Sequence, residues 1–259
     1  MAFAELKDVR IHYELAGPAT APVVVFSNSL GTDLTMWDSQ AAALTKKFQV
    51  LRYDKRGHGQ SSAPAAPYTI EQLGRDVVAL LDSLRLARAH FCGLSIGGQT
   101  GMWLGVNAPE RLHKLVLCNT GAKIGATDAW NTRIETVRKS GMKAVSNGVI
   151  ERWFTPRFRE KEAATVAKVQ RVLEAVDREG YAGCCAAVRD FDYREKLGAI
   201  QTPTLVIAGA HDPATPAADG RFLVEKIPGA RYVELDAAHL SNIEDGQRFT
   251  AEVRAFLSA

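Results

Sequence analysis

A serine flanked by two glycines is the strongest chemical signal in the sequence. It lies in Gly93-Leu94-Ser95-Ile96-Gly97, after the apolar run Ala89 to Cys92 and before a helical pattern that extends to Val106. A tight turn from strand to helix leaves no room for side chains at the flanking positions, which explains the glycines. The N–H groups at the helix start can stabilise negative charge that develops beside the hydroxyl. The motif therefore predicts Ser95 as a nucleophile.

A serine hydroxyl needs a base to accept its proton, and one histidine is well placed for this role. His239 lies just after a predicted strand, Tyr232 to Leu235, and Asp212 lies just after another, Thr204 to Ala208. Both would emerge at the carboxyl edge of a parallel sheet, where an acid can fix the tautomer of the histidine. The sequence thus predicts a triad of Ser95, His239 as general base and acid, and Asp212.

Simpler interpretations of these residues remain open from the sequence alone. Asp212 could begin a turn before Pro213, and His239 could be an ordinary loop histidine. His211, beside Asp212, is a rival base. The triad is favoured because three suitable residues each follow a predicted strand of their own.

Acyl chemistry also requires two backbone N–H groups that bind an oxyanion, one of them from the residue after the nucleophile. Ile96 supplies the first. The second is expected from the loop after the first buried strand, where Gly31 allows close backbone approach, and Leu30 is the predicted donor. Asn28 and Ser29 are predicted to line the pocket, with a purely structural turn as the alternative.

The elements that must position these residues follow an alternating pattern. Short β-rich runs are separated by helix-length segments, which predicts an α/β fold with a mostly parallel twisted sheet flanked by helices. One of the helices, Thr69 to Leu84, starts with the capping-box pair Thr69 and Gln72. The first four β-rich runs are Val23 to Phe26, Val50 to Tyr53, His90 to Cys92 and Leu115 to Leu117.

A helical insertion interrupts this alternation. Strand-like runs disappear between Lys123 and Leu197, and amphipathic stretches such as Ala129 to Lys139 and Ala163 to Asp177 take their place. We expect a core built from residues 1–122 and 198–259, closed by a helix from Glu244 to Leu257, with residues 123–197 as a cap over the site.

Composition excludes several other classes of function. The 259 residues carry a formal net charge of +3 with no basic cluster, so nucleic acid is not an expected partner. The first 17 residues contain charges where a signal peptide needs an apolar run, and no segment is long enough to span a bilayer, which predicts a cytoplasmic protein without a membrane partner. The four cysteines lack metal-ligand spacing, so we expect reduced thiols and no metal.

Taken together, these motifs resemble the α/β-hydrolase fold family along essentially the whole chain. The resemblance rests on Ser27 to Gly31, Asp54 to Ser61, the serine turn, Gly209 to Asp212 and Asp236 to His239. Within the family, the stretch Asn28 to Asp38 is similar to the bacterial 3-oxoadipate enol-lactonases, whereas most relatives carry His-Gly in this loop.

The resemblance implies a cofactor-free serine esterase that opens 3-oxoadipate enol-lactone through an acyl-enzyme, in the breakdown of aromatic compounds (the β-ketoadipate pathway). Such a lactone carries a carboxylate, so the cap should offer cations or donors. The candidates are Arg133, Trp130, Trp153 and Arg189.

The resemblance leaves some alternatives open and weighs against other roles. It implies that Arg56 and His58, in the Asp54 to Ser61 loop, are structural rather than catalytic. A serine nucleophile argues against the branches that use aspartate, the haloalkane dehalogenases and epoxide hydrolases. A carboxylesterase, a carbon-carbon bond hydrolase and a hydrolase-like ligand receptor remain alternatives.

Overall fold

An eight-stranded sheet organises the part of the chain that the computed structural model describes, residues 2–259. The strands are β1 Ala2–Glu5, β2 Arg10–Ala16, β3 Val23–Ser27, β4 Gln49–Tyr53, β5 Ala89–Leu94, β6 Leu112–Cys118, β7 Thr204–Gly209 and β8 Arg231–Leu235. The strand order is β1-β2-β4-β3-β5-β6-β7-β8, and β3 to β8 pair in parallel. The fold class predicted from the sequence is therefore confirmed.

The parallel strands at the centre of the sheet are apolar because helices cover both of their faces. Every residue of β3, β5 and β7 is buried. The chain passes from β3 to β4 on one side and later returns to β5 on the other side of β3. The loops after β3 and β5 consequently diverge, which leaves a crevice at the carboxyl end of the sheet where ligands bind in such folds.

Six helices belong to the sheet layer. The helix after β4 begins with the predicted capping box: the Thr69 hydroxyl accepts from the Gln72 N–H, and the Gln72 side chain accepts from the Thr69 N–H. The helix after β5 is buried from Ile96 to Gly105, because it packs between the sheet and neighbouring helices. These helices are α1 Asp38–Leu44, α2 Ile70–Ser83, α3 Ile96–Asn107, α9 Ala217–Lys226, α10 Ser241–Glu244 and α11 Gly246–Ser258.

Five further helices lie between β6 and β7, and we propose residues 123–197 as the cap. The first of them packs against the last, so the insertion has contacts of its own. The last also approaches the loop after β4 so closely that a Cβ on Gly57 would lie 2.4 Å from the Gly180 Cα. The five helices are α4 Thr127–Ser140, α5 Lys143–Trp153, α6 Pro156–Lys161, α7 Ala163–Ala175 and α8 Arg178–Asp190.

The chain begins with an antiparallel edge that the sequence pattern did not indicate. β1 pairs with β2, and β2 pairs with β4 in the register Tyr13 to Tyr53. Among the helices of residues 2–259, none combines the length and the apolar character that a membrane crossing requires.

Candidate active site

Ser95 occupies a sharp turn between β5 and α3. Its backbone has φ 59° and ψ −117°, a left-handed φ that few residues other than glycine adopt. The Ser95 N–H donates to Cys118 O at 2.9 Å, and the Thr120 hydroxyl donates to Ser95 O at 2.7 Å. These bonds to the residues at the end of β6 hold the strained turn in place. The side chain is thereby fixed at the carboxyl end of the sheet and is 9% exposed.

The glycines on either side of Ser95 are required by contacts with backbone atoms. A Cβ on Gly93 would lie 2.1 Å from Gly97 O, and a Cβ on Gly97 would lie 2.2 Å from Ser27 O. Neither carbonyl can move without breaking the turn or the central strand. The sequence argument for these two positions is therefore supported by the geometry.

Asp212 and His239 meet in a buried hydrogen bond beneath the turn. His239 Nδ1 lies 2.8 Å from Asp212 Oδ2, and both side chains are almost fully buried. Thr215 donates to both carboxylate oxygens, from its hydroxyl to Oδ2 at 2.6 Å and from its N–H to Oδ1 at 3.0 Å. The Ala214 N–H adds a bond to Oδ1 at 2.8 Å. A carboxylate held in this way fixes the orientation of the imidazole.

These donors determine the ionisation of Asp212. Burial by itself raises the pKa of the carboxyl, but the charge and hydrogen bond of His239 and the hydrogen bonds from Thr215 outweigh burial and lower the pKa to about 2. The carboxylate is consequently ionised throughout the physiological range.

The lowered pKa predicts how Asp212 contributes to stability at acid pH. A folded pKa below the unfolded value, 3.8, gives a stabilising contribution that is complete above pH 4 and is lost as pH falls toward 2. In Asp212→Asn this contribution is absent at every pH. We expect the difference in unfolding free energy between wild type and variant, measured by urea denaturation, to shrink between pH 5 and pH 2.5. A difference that grows over this range would contradict the assignment.

Asn119 is a part of this arrangement that sequence reasoning missed. Its side-chain amide donates to Asp212 Oδ2 at 3.0 Å and to Ala238 O at 3.1 Å, and its Oδ1 accepts from the Ser241 hydroxyl at 2.5 Å. It thus ties the loops that carry the acid and the histidine to the end of β6. The signal available in the sequence was a polar residue two positions after the predicted strand Leu115 to Leu117.

Two backbone N–H groups of residues near Ser95 have no acceptor within the part of the chain that the structure describes. Ile96 is the first residue of α3, and the first N–H groups of a helix have no acceptor within it. The Leu30 N–H has no acceptor among residues 2–259. Both donors belong to the residues predicted for an oxyanion hole.

Ser95 and His239 both line one cavity, with a volume of about 150 Å³, between the sheet and the cap helices. This volume is below the range of about 300–1,000 Å³ typical of drug-sized ligands, so the cavity suits a small substrate. No hydrogen bond joins the Ser95 hydroxyl to His239 within residues 2–259. The other lining residues are Ser29, Leu30, Ile124, Gly125, Ala129, Trp130, Arg133, Val149, Arg152, Trp153, Tyr181 and Ala214.

The cavity contains two arginines and, in the described chain, no acidic residue. Arg133 stacks on the Trp130 ring, 4.8 Å from its centroid. Burial, and then the charge of Arg133, lower the pKa of Arg152. Neither guanidinium is in an ion pair with a carboxylate of residues 2–259. Two neighbouring cations in a cavity without acidic lining residues create a strong preference for an anion. Arg152 and Tyr181 were not singled out from the sequence, because a helical pattern does not reveal which side chains point into a cavity.

Three other candidate residues do not face this cavity. The side-chain amide of Asn28 donates to Tyr53 O at 2.9 Å, and its Oδ1 accepts from Trp37 Nε1 at 3.0 Å. Arg189 bonds Asp190 and Asn131 outside the cavity. The rival base His211 is exposed and bonds Asp236 at 2.8 Å.

A larger cavity, of about 1,030 Å³, lies between the cap helices and the loops of the sheet layer. His211 and Asp236 are among its lining residues, but Ser95 and His239 are not. The larger cavity therefore does not contain the predicted nucleophile or its predicted base.

Comparison with known proteins decides the family. The model of the alpha/beta hydrolase fold matches residues 22–144 and 167–246, which is most of the chain. The chain belongs to the alpha/beta hydrolase fold family. The predicted family membership is thus confirmed, and the unmatched residues of this hydrolase include part of the helical insertion.

The relatives of this hydrolase include named enol-lactonases. It is 46% identical to 3-oxoadipate enol-lactonase 2 of Acinetobacter baylyi over 97% of this chain and 94% of that protein. It is 41% identical to 3-oxoadipate enol-lactonase 1 of the same organism over 95% of this chain and 92% of that protein. The crystal structure of the enol-lactonase from Burkholderia xenovorans superposes with a TM-score of 0.98 at 48% identity, covering 100% of both chains. The predicted resemblance to the enol-lactonases is confirmed.

Proposed function

We propose that this hydrolase opens the lactone ring of 3-oxoadipate enol-lactone to give 3-oxoadipate. The observation that carries the proposal is the shared cavity, which Ser95 and His239 line together with two arginines that form no ion pair with a carboxylate of residues 2–259. This arrangement supplies acyl chemistry and an anion site within one cavity. The likeness to the Acinetobacter baylyi enol-lactonases, at 46% and 41% identity, supports the same substrate.

The first half of the reaction forms an acyl-enzyme. The Ser95 hydroxyl attacks the lactone carbonyl while His239 Nε2 accepts its proton, and Asp212 holds the proton of Nδ1 in place. The oxyanion that forms accepts hydrogen bonds from the Leu30 and Ile96 N–H groups. Collapse of this intermediate breaks the bond to the ring oxygen, which takes the proton from His239 Nε2 and leaves as an enol, so that His239 is again neutral.

The second half of the reaction consumes one water. His239 accepts a proton from the water as it attacks the ester of Ser95, and returns a proton to the serine oxygen as 3-oxoadipate leaves. An enolate is a better leaving group than an alkoxide and stays tethered to the acyl chain. The demanding steps are therefore oxyanion stabilisation and this hydrolysis. The hydrogen bond between Ser95 and His239 forms in the substrate complex, as catalytic hydrogen bonds commonly tighten there.

The carboxylate of the substrate lies against Arg133 and Arg152. Both side chains come from cap helices, α4 and α5, whereas the nucleophile comes from the sheet. The cap thus selects an anionic acyl group while the sheet supplies the reaction.

A substrate panel tests the proposed function. Purified protein is assayed on 3-oxoadipate enol-lactone, on neutral p-nitrophenyl esters and on ring-cleavage diketones. We expect kcat/KM for the enol-lactone to exceed the others by at least about 100-fold, which corresponds to roughly 2.7 kcal/mol of discrimination. A preference for neutral esters or for the diketones would contradict the proposal.

The arginine site predicts a charge-dependent loss of activity. In Arg133→Gln and Arg152→Gln, kcat/KM for the enol-lactone should fall about 10- to 100-fold, since a hydrogen bond to a charged group contributes about 1.5–3 kcal/mol. Hydrolysis of neutral p-nitrophenyl butyrate should change less than threefold. Arg189→Gln is the matched control, because Arg189 lies outside the cavity, and should leave both rates unchanged. Equal losses on the charged and neutral esters would remove the proposed role.

A further inference from the structure

A lysine in the loop after β4 is buried against the proposed oxyanion loop. Lys55 is 3% exposed, and its ammonium group donates to Ser29 O at 2.8 Å. It forms no ion pair with a carboxylate in residues 2–259. The neighbouring Asp54 instead accepts from the Leu34 and Gln60 N–H groups and bonds His12. A buried cation whose acceptor is a neutral backbone carbonyl costs stability, and such a group calls for a functional explanation.

The carbonyl that Lys55 contacts belongs to the same peptide group as the proposed oxyanion donor. Ser29 O and the Leu30 N–H are the two ends of one planar amide. This amide is trans, because the cis bond among residues 2–259 is Ala66–Pro67. In a trans amide the N–H points away from the C=O, so a cation on Ser29 O lies opposite to the substrate side. The cation draws electron density toward the carbonyl oxygen, which makes the N–H a stronger donor.

The next peptide group, Leu30–Gly31, is also held by the loop after β4. The Gly31 N–H donates to His58 Nε2 at 2.9 Å, and His58 Nδ1 faces Arg56 O at 3.3 Å. Burial, and then the charge of Lys55, keep the pKa of His58 well below its usual value, so the ring stays neutral and can accept. Leu30 therefore lies between two peptide groups that are both fixed by the Lys55 to His58 segment.

We propose that Lys55 is a positioning residue that orients and polarises the Ser29–Leu30 peptide group as a donor to the oxyanion. This inference rests on the proposed function, because it assumes acyl transfer at Ser95. In this role the Lys55 ammonium group stabilises the transition state through the peptide group and does not contact the substrate. The Thr32 hydroxyl also donates to Ser29 O, at 2.9 Å, but it adds no charge.

The charge on Lys55 can be changed by pH. Burial lowers the pKa of Lys55 to about 8, against smaller opposing effects of Cys184, Asp54 and Asp33. Two other titratable groups near Lys55 keep one protonation state between pH 7 and 9. His58 stays neutral, and burial raises the pKa of Cys184 to about 12. Loss of the ammonium proton above pH 8 should therefore weaken the oxyanion donor and lower kcat.

The test replaces Lys55 by a side chain of similar shape without charge. In Lys55→Met, kcat for p-nitrophenyl acetate and for the enol-lactone should fall at least about tenfold at pH 7, with KM changed less than twofold. Direct removal of one oxyanion donor lowers kcat about 10²- to 10³-fold, and the loss of kcat in Lys55→Met should not exceed this factor. The inhibition constant of butylboronic acid, whose tetrahedral adduct with serine mimics the oxyanion, should rise by the same factor as kcat falls.

The pH profile separates this role from a purely structural one. Wild-type kcat should decrease above pH 8, and the decrease should be absent in Lys55→Arg, whose charge does not titrate in this range. Thr32→Val, which removes a neutral hydrogen bond to the same carbonyl, should change kcat less than threefold and keep the wild-type profile.

Two results would overturn the inference. One is a folded Lys55→Met variant with kcat within threefold of wild type, and the other is a flat wild-type kcat between pH 7 and 9.5. The second measurement needs no variant, so it decides the matter even if Lys55→Met does not fold. Activity retained by Ser95→Ala would instead contradict the proposed function, so the two failures are distinguishable.

Discussion

Ser95→Ala is expected to lower kcat for the enol-lactone about 10⁴-fold or more, with little change in thermal stability. The variant removes the atom that forms the acyl-enzyme in the proposed reaction and leaves the proposed oxyanion donors and the cavity in place, which accounts for any residual rate. Stability should be retained because the bonds that fix the turn, from the Ser95 N–H to Cys118 O and from Thr120 to Ser95 O, use backbone atoms of residue 95.

A covalent probe extends this measurement. A fluorophosphonate should label wild type at Ser95 and fail to label Ser95→Ala, and mass spectrometry of the peptide identifies the modified residue. Ser83→Ala is the control, because this serine lies on α2 and its hydroxyl donates to Leu80 O of the same helix. Its kcat and labelling should equal those of wild type. Lactone turnover by Ser95→Ala near the wild-type rate would exclude the covalent route.

Asp212→Asn is expected to lower kcat by about 10⁴-fold while KM changes much less. The acid accepts hydrogen bonds from Asn119, Ala214 and Thr215 as well as His239. An amide NH₂ directed at His239 Nδ1 would place the imidazole proton on Nε2, so that the ring could no longer accept from Ser95. The imidazolium would also lose the charge that stabilises it. The measurement is kcat and KM at pH 7 for the enol-lactone.

Asp236→Asn provides the matched control for this change. Asp236 is exposed and pairs with His211, the rival base, rather than with His239. Its replacement should leave kcat within twofold of wild type. If Asp236→Asn lost activity and Asp212→Asn retained it, the base would be His211 and the proposed triad would be wrong.

The sequence predicted the parallel sheet because buried central strands have a strong local pattern. Apolar runs such as Val23 to Phe26 can hardly be exposed, and their spacing implies helical crossovers. The antiparallel strands β1 and β2 lack that pattern. They carry the charged residues Glu5, Arg10 and Glu14, and the pairing of β1 with β2 and of β2 with β4, rather than local hydrophobicity, determines their conformation.

The triad residues could be predicted from the sequence, whereas the cap residues that line the cavity could be predicted only in part. Ser95, Asp212 and His239 each follow a predicted strand, so topology alone places them at one edge of the sheet. Arg152 and Tyr181 lie on cap helices. Whether a side chain on such a helix points into the cavity depends on how the helices pack against one another. That packing involves long-range contacts and leaves no local signal. The same limitation explains why Arg189 was a candidate although it bonds Asp190 outside the cavity.

The close backbone approach of Gly57 to Gly180 has a consequence for how substrate range can evolve in this enzyme. A side chain at either position would collide with the opposite main chain and would force α8 apart from the segment that contains Lys55 and His58. Mutations that admit bulkier acyl groups should therefore accumulate on α4 and α5, which contribute Arg133 and Arg152, while the start of α8 stays unchanged in active variants selected for new substrates.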